Sequence, residues 1–591
     1  MRIANPSRAI RRARTRLVAD PPIGSDPIGP APVVPHQLGT DPIPAEPAPV
    51  PPVVHVLFLV TAVDGLTQRA ALALREMGHT VRVVVVSDTD DLTQAMAAAD
   101  FELIICPYPT VTVPEPIRRR YPTVGLYPGP PGDRGLSSLD WALMNGETTW
   151  GVTAFAAGAG SAEGPVLAAR SFGIGVARKS SIYKGPVADA AVECVREVVA
   201  GFTDPEFRPM SLPPVPLQSE FAGRKRSVMS QATRAFHWTD GPERICRTIR
   251  AADGSPGVLA ELANYVLYVY DAHPDGPVDA APGTIVAKQY GALRVAAGDT
   301  GSVWIGHARL SGEDRIKLPA TLALPDVAAM VPTRSAPSGY PGVHYRREGA
   351  VGHVSFSFYN GAMSTEQSRR LTRALLTAAR DDTGVILLTG GTDYFSNGIH
   401  LNVIEDAVDP AHEAWENVVA INGVARAILE CRSKVIVAAF TGDANAGGAM
   451  LPLGADVVVA RAGVVLNPHY ATMGLFGSEL HTYTLPERVG GQVAARLTRE
   501  CLPISARQAL RIGLVDQIGP RNPAQFQDWL SALAQHYAGD AWQATMATKT
   551  LRLDDADPVI NSCERFELGQ TMADLFDDRG GFAARRHAFV R

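Results

Sequence analysis

The hydrophobic positions of this chain fall into short unbroken runs separated by stretches with helical spacing. Val56–Thr61 reads as a buried strand, and Leu66, Ala70, Leu74 and Met77 then recur at helical spacing up to Gly78, a usual left-handed stop. Val81–Val86 and Leu103–Cys106 are further apolar runs. Short apolar strands that alternate with helices indicate parallel βαβ units. The turn after the first strand, Thr61 to Gly65, lacks the glycine pattern of a dinucleotide site. Helical signals return at Leu136–Asn145 and Val187–Gly201, and the proline-rich Ser211–Pro216 marks a linker. A smaller mixed unit follows, helical over Glu243–Ala252 and alternating around Tyr290–Val295 and Val303–His307. Proline and glycine in Val331–Gly342 mark the next boundary. Beyond it Val351–Phe358 alternates as a strand, and Ser364 with Gln367 forms a capping-box pattern ahead of Leu371, Leu375 and Ala379. Val385–Thr389, Val435–Phe440 and Val457–Ala460 then read as buried strands of a second α/β domain.

A chain of 591 residues is too long for one ordinary core. The pattern divides it into a proline-rich leader over 1–54, an α/β domain over 55–210, a small β-rich unit over 211–335, a second α/β domain over 336–540 and a helical tail over 541–591. The leader carries many arginines but no apolar core of a secretory signal. Its composition predicts an extended segment with nothing to pack. Lys plus Arg number 55 against 60 Asp plus Glu, a net charge of −5, which offers no basic field for nucleic acid or anionic lipid. No apolar run approaches the roughly 18 residues of a spanning helix, so a soluble, cytoplasmic protein with no membrane partner is expected. The six cysteines (Cys106, Cys194, Cys246, Cys431, Cys501 and Cys563) form no C-x-x-C pair. Reduced thiols, with neither a disulfide framework nor a metal site, are the expectation.

Two regions carry motifs with chemical content. The first runs from Pro128 through Gly129, Pro130, Pro131, Gly132, Asp133 and Arg134 to Gly135, and leads into the helical Leu136–Asn145. By itself it is a rigid turn, with Asp133 and Arg134 a solvated ion pair and Asp140 a helix-end charge. The second comprises Phe395–Leu401 and Gly442–Gly448, each after a predicted strand. Glycines there let backbone approach another segment or a bound group closely.

These motifs, with Leu66–Arg69, Trp150–Thr153, Lys179–Tyr183, Arg250–Gly254 and Tyr270–Pro274, resemble the HypX/HoxX family of hydrogenase maturation factors from about His55 to the C-terminus. The resemblance implies an α/β chain: an N-terminal formyltransferase-like parallel-sheet domain with a small β-rich appendage, fused to a C-terminal crotonase-fold domain. It implies a donor site for 10-formyltetrahydrofolate that includes Gly129, Asp133, Arg134 and Asp140. It also implies a coenzyme A thioester site in which the amides of Ile399 and Gly447 bind the thioester oxygen, with Gly398 and Gly448 permitting the approach. The implied activity is formyl transfer from 10-formyltetrahydrofolate to coenzyme A, then breakdown of formyl-CoA to carbon monoxide, the CO ligand of a nickel–iron hydrogenase. Small-molecule substrates and hydrogenase maturation proteins are the implied partners.

The chain departs at several points from the chemistry of the enzymes it resembles. Formyl transfer needs a hydrogen-bond donor to the carbonyl oxygen and a group that takes the nucleophile's proton. Folate formyltransferases use Asn-x-His and an Asp, and the corresponding positions here are Gly125, Tyr127 and Ala162. The Tyr127 phenol can donate one hydrogen bond but cannot supply the charge of an imidazolium. Glu163, next to the Asp position, is the replacement carboxylate to consider. In the crotonase-like half Met450 stands at the first glutamate position of a hydratase, and Asn467–Tyr470 at the second, so ordinary hydration is not expected. His469, Tyr470 and Glu479 remain as the catalytic candidates. The plain alternatives are a core imidazole for His469 and a helix N-terminal charge facing water for Glu479. Cys563–Arg591 reads as a charged amphipathic tail in which Arg585 and Arg586 face solvent. Two rival functions stay open: a paralogue in specialised metabolism acting on another acyl donor or CoA thioester, and a binding protein whose first domain is a silent scaffold for the crotonase-like half.

Overall fold

The computed structural model describes residues 52–87, 91–92, 96, 100–107, 113–157, 164–204, 206–208, 225–334, 340 and 342–591. The expected leader up to residue 51, the linker Ser211–Pro216, and the positions Ala162 and Glu163 lie outside the described residues.

The first sheet has the strand order Thr80–Val85, His55–Val60, Leu103–Pro107, Thr123–Tyr127, Thr149–Ala156, Val166–Gly173. The first four strands are parallel and the last two antiparallel. The apolar runs are unbroken because both faces of these strands are covered. Val56, Phe58 and Val60 join a core with the helices Gly65–Glu76 and Ala188–Phe202, while Leu57 and Leu59 pack into a separate core on the opposite face. Asp64 caps the helix Gly65–Glu76 by accepting from the Thr67 amide at 2.8 Å. Gly78 follows at φ +91°, the left-handed conformation its position predicts.

The second sheet is antiparallel, in the order Val258–Leu262, Tyr265–Asp275, Ser302–Leu310, Ala292–Ala296, Ile285–Gln289. The helix Pro242–Ala252 packs on it through Ile245, Cys246 and Ile249.

In the last half of the chain a sheet in the order Val343–Glu348, Val351–Phe356, Val385–Thr389, Val435–Phe440, Val457–Arg461, Gln517–Gly519 is parallel after its initial hairpin. Three of these strands break and continue into a smaller sheet. Val385–Thr389 passes to Tyr394–Ser396, Val435–Phe440 to Asp443–Asn445, and Val457–Arg461 to Val465–Asn467. The residues just past the small strands are therefore gathered at one place, and they include both glycine motifs. The capping box at Ser364 and Gln367 is present, with both reciprocal hydrogen bonds made.

The C-terminal segment differs from an amphipathic tail. It forms the helices Trp542–Leu553, Asp557–Phe576 and Phe582–Val590, with Ile560, Glu567 and Phe582 buried. Arg585 is exposed as expected, but Arg586 is buried and donates from Nε to Glu405 at 2.7 Å. Packing of Phe582 into a core with Ile404 and Ala414 draws the last helix inward and carries Arg586 with it.

Buried polar contacts fix the units to one another. Arg69 reaches both carboxylate oxygens of Asp443 at 3.0 Å, and Ser181 donates to Asp393 at 2.5 Å. The Tyr359 hydroxyl donates to Asp253 at 2.7 Å. The six cysteines are free thiols. Among the described residues no helix is long and apolar enough to cross a membrane, and no cluster of His, Cys, Asp and Glu could hold a metal ion.

Candidate active site

A cavity of about 1160 Å³ runs between the two α/β units. One end is walled by Leu126, Tyr127, Pro128, Arg134 and Phe155, and the other by Ile399, Gly447, His469, Tyr470 and Glu479.

At the second end the glycine motifs come together. An ideal Cβ on Gly398, whose φ is +75°, would sit 3.3 Å from the Gly447 nitrogen. One on Gly448 would meet the Ser396 carbonyl oxygen at 2.0 Å, so glycine alone lets the two segments touch. Gly448 works from behind the wall, whereas Gly398, Ile399 and Gly447 line the cavity. The turn into Gly447 is strained: Ala446 has φ +48° and ψ −128°, and its amide is tied to the Asn467 carbonyl at 2.9 Å. Neither the Ile399 nor the Gly447 amide is consumed by the backbone hydrogen bonds of these segments among the described residues. Two such N–H groups facing a cavity can stabilise a developing oxyanion.

Glu479 stands beside them. A Cβ on Gly447 would fall 2.0 Å from Glu479 Oε1, and Tyr470 donates its hydroxyl to Oε2 at 2.5 Å. Ser478 Oγ donates to the same oxygen at 2.9 Å. Glu479 is only 2% exposed, so it is not a helix-end charge in water, and burial pushes its carboxyl up to about 6 against the pull of those two donors. Burial first, then the neighbouring Glu479 charge, holds the Tyr470 phenol well above its usual range, so it stays a donor. His469 Nδ1 donates to the Asn467 carbonyl at 2.9 Å, which leaves Nε2 as a free acceptor on an imidazole kept neutral by burial. Met450, at a hydratase's first glutamate position, is buried among apolar side chains.

The first end is built differently. Tyr127 donates toward Asp133 Oδ1 at 3.1 Å and the Gly135 carbonyl at 3.0 Å, and lies 2.5 Å from Ser138 Oγ. Its ring packs under Gly129, where a Cβ would be 2.4 Å away. Burial raises the phenol further. At Gly125 the space that a side chain would use is filled by the Phe155 ring, 2.4 Å from an ideal Cβ. Asp133 is buried and accepts from Arg226 Nε at 2.8 Å, and Asp140 accepts from Arg234 at 2.8 Å and pairs with Lys179 at 3.3 Å. Gly129, Asp133 and Asp140 thus lie behind the cavity wall, and Arg134 on it.

Known proteins resemble both halves of the chain. Residues 229–323 match the model of the formyl transferase C-terminal domain, and residues 348–570 that of enoyl-CoA hydratase/isomerase. The chain is 36% identical over 540 residues to the hydrogenase maturation factor HoxX of Bradyrhizobium diazoefficiens, covering 90% of this chain and 94% of that one. The chain belongs to the HypX/HoxX family of hydrogenase maturation factors. The solved structure of HypX from Aquifex aeolicus in complex with tetrahydrofolic acid superposes with a TM-score of 0.86 at 33% identity, covering 91% of this chain and 96% of that one. A methionyl-tRNA formyltransferase of Sorangium cellulosum is 28% identical over 185 residues, covering 31% of this chain and 57% of that one.

As a HypX/HoxX protein the chain is an enzyme with a formyltransferase-like domain joined to a crotonase-fold domain, the architecture its motifs imply. The cavity also gathers residues to which the sequence assigns no role. Lys184 lines the cavity, its ammonium 4.4 Å from the centre of the Tyr394 ring, and burial lowers its proton affinity. Asn445 donates to Asn397 at 2.7 Å, and both line the cavity. A lysine after Tyr183 or an asparagine in a glycine-rich turn is commonplace in sequence. Only the cavity distinguishes these.

Proposed function

We propose that this chain transfers a formyl group from 10-formyltetrahydrofolate to coenzyme A at the first end of the cavity and breaks the resulting formyl-CoA down to carbon monoxide at the second. The observation that carries this reading is the single cavity joining the two ends. Its volume suits a thioester arm that reaches from one end to the other.

At the second end the formyl oxygen would lie against the amides of Ile399 and Gly447. The Glu479 carboxylate, its pKa lifted by burial, takes the formyl hydrogen as a proton. The C–H electron pair becomes the carbon lone pair of carbon monoxide as the C–S bond breaks, and the pair from C–S leaves on the thiolate. The proton on Glu479 returns to that sulfur, so atoms and charge balance. Tyr470 orients Glu479, and His469 Nε2 is the other base within the cavity wall. Folate binding is supported by the tetrahydrofolic acid complex of the Aquifex relative. Coenzyme A is supported by the crotonase-type domain. Hydrogenase maturation proteins are the proposed recipients, and a reducing cytoplasmic setting fits the free thiols.

The test supplies the full chain with 10-formyltetrahydrofolate and coenzyme A, and separately with formyl-CoA, trapping carbon monoxide on reduced haemoglobin. Carbon monoxide from both mixtures supports the whole pathway. Carbon monoxide from formyl-CoA alone would confine the activity to the second end, a reading favoured by one observation: the Tyr127 hydroxyl is spent on Asp133, Gly135 and Ser138. Under that reading the thioester is made elsewhere, and the formyltransferase-like half serves as a wall of the cavity. No carbon monoxide from either mixture would refute both.

A further inference from the structure

The helix Asp557–Phe576 turns a row of polar side chains inward, and the row ends on the loop that carries Glu479. Asp574 Oδ2 accepts from the Phe476 amide at 2.6 Å, and Thr571 Oγ1 donates to the Gly477 carbonyl at 3.1 Å. Glu567 accepts from the Leu480 amide at 3.0 Å, the Thr482 amide at 2.7 Å and the Thr482 hydroxyl at 2.6 Å. Positions 567, 571 and 574 share one helix face. Glu567 is fully covered and the other two nearly so. Burying three such groups costs free energy unless each is hydrogen-bonded; one short loop supplies a partner to each, and Arg579 takes the other Asp574 oxygen from Nε at 2.9 Å.

That loop is strained. Gly477, Glu479 and Leu480 have φ of +107°, +64° and +58°, and two successive non-glycine residues in the left-handed region persist only where their surroundings hold them. From the other side Asn422, on the helix Pro410–Leu429, accepts from the Glu479 amide at 2.7 Å. The amide on one side of the Glu479 Cα is thus fixed by Asn422, and the amide of the next residue by Glu567. The Cα–Cβ bond between them is thereby set, and Tyr470 and Ser478 hold the carboxylate it carries beside Gly447.

We infer that Glu567, helped by Thr571 and Asp574, is a positioning residue for the second end of the cavity: it holds the Glu479–Leu480 turn left-handed and thereby aims the Glu479 carboxylate. This rests on the reading of Glu479 as the base. It makes the C-terminal helices a working part of the site.

Glu567→Gln in the full chain keeps the shape but presents an NH2 group to one of the two amides. Turnover of formyl-CoA should fall about 10- to 100-fold with KM changing less than about twofold, because aim and not binding is lost. Hydrogen exchange in residues 476–482 should quicken about tenfold or more, with helices elsewhere unchanged. The double variant Glu479→Gln, Glu567→Gln should be no slower than Glu479→Gln alone, since one residue acts through the other. Thr571→Val removes a single hydrogen bond without touching charge, and should quicken the same exchange if Glu567→Gln fails to fold. Should Glu479→Gln keep full turnover, the base reading fails while the exchange measurement still decides whether the helix holds the loop. Unchanged exchange over 476–482 in both variants, or losses that multiply in the double variant, would overturn the proposal.

Discussion

Replacing Glu479 by glutamine separates the chemistry of this carboxylate from its structural part. The amide keeps the shape and an acceptor for Tyr470, but it cannot take a proton. Burial lifts the Glu479 carboxyl from 4.5 to about 6, so roughly nine molecules in ten carry the base form at pH 7. Turnover by the wild type should therefore rise with pH through about 6 and then level off. The variant should lose about 10²- to 10⁴-fold in turnover with little change in affinity for coenzyme A. The same shift has a stability consequence of the opposite sign. A carboxyl with a raised folded-state pKa binds its proton more tightly folded than unfolded, so its contribution is present below about 4.5 and is lost as pH rises through about 6. The loss amounts to about 2 kcal/mol at neutral pH. Glu479→Gln removes it, so the variant should melt higher than the wild type at pH 7, with the gap closing toward pH 4.5. Turnover against pH and thermal melting at several pH values check both halves. Full activity in the variant would refute the reasoning and leave His469 Nε2 as the base.

Gly447→Ala would drive a Cβ to 2.0 Å from Glu479 Oε1, and turnover should fall nearly as far as in Glu479→Gln, measured on formyl-CoA. Calorimetric titration of the full chain should show coenzyme A binding, and its absence would count against the thioester site. Transfer from 10-formyltetrahydrofolate should be slow in the wild type, and Tyr127→His together with Ala162→Asp should raise it; fast wild-type transfer insensitive to Tyr127 would refute this view of the first end. Arg69→Met would leave the carboxylate of Asp443 buried without its partner, and a loss of about 3–5 kcal/mol should appear as a lower melting temperature.

The sequence by itself determined the parts whose cause is local. Unbroken apolar runs with helical stretches between them specified two mainly parallel sheets, because covered strands need apolar residues on both faces. Ser364 with Gln367 specified a helix start, and the glycines at 398, 447 and 448 marked backbone that must approach another segment closely. What those positions do chemically was decided by contacts between residues far apart in the chain. Glu479 reads as a surface charge until Gly447, Tyr470 and the helix bearing Glu567 enclose it, and only that enclosure raises its pKa. Tyr127 reads as a free donor until Asp133, Gly135 and Ser138 take up its hydroxyl. Arg586 reads as solvent-facing until Glu405, 181 residues earlier, is brought beside it. Periodicity and turn chemistry are written in neighbouring residues, whereas desolvation and hydrogen-bond satisfaction depend on which surfaces meet, and the packed structure alone sets that.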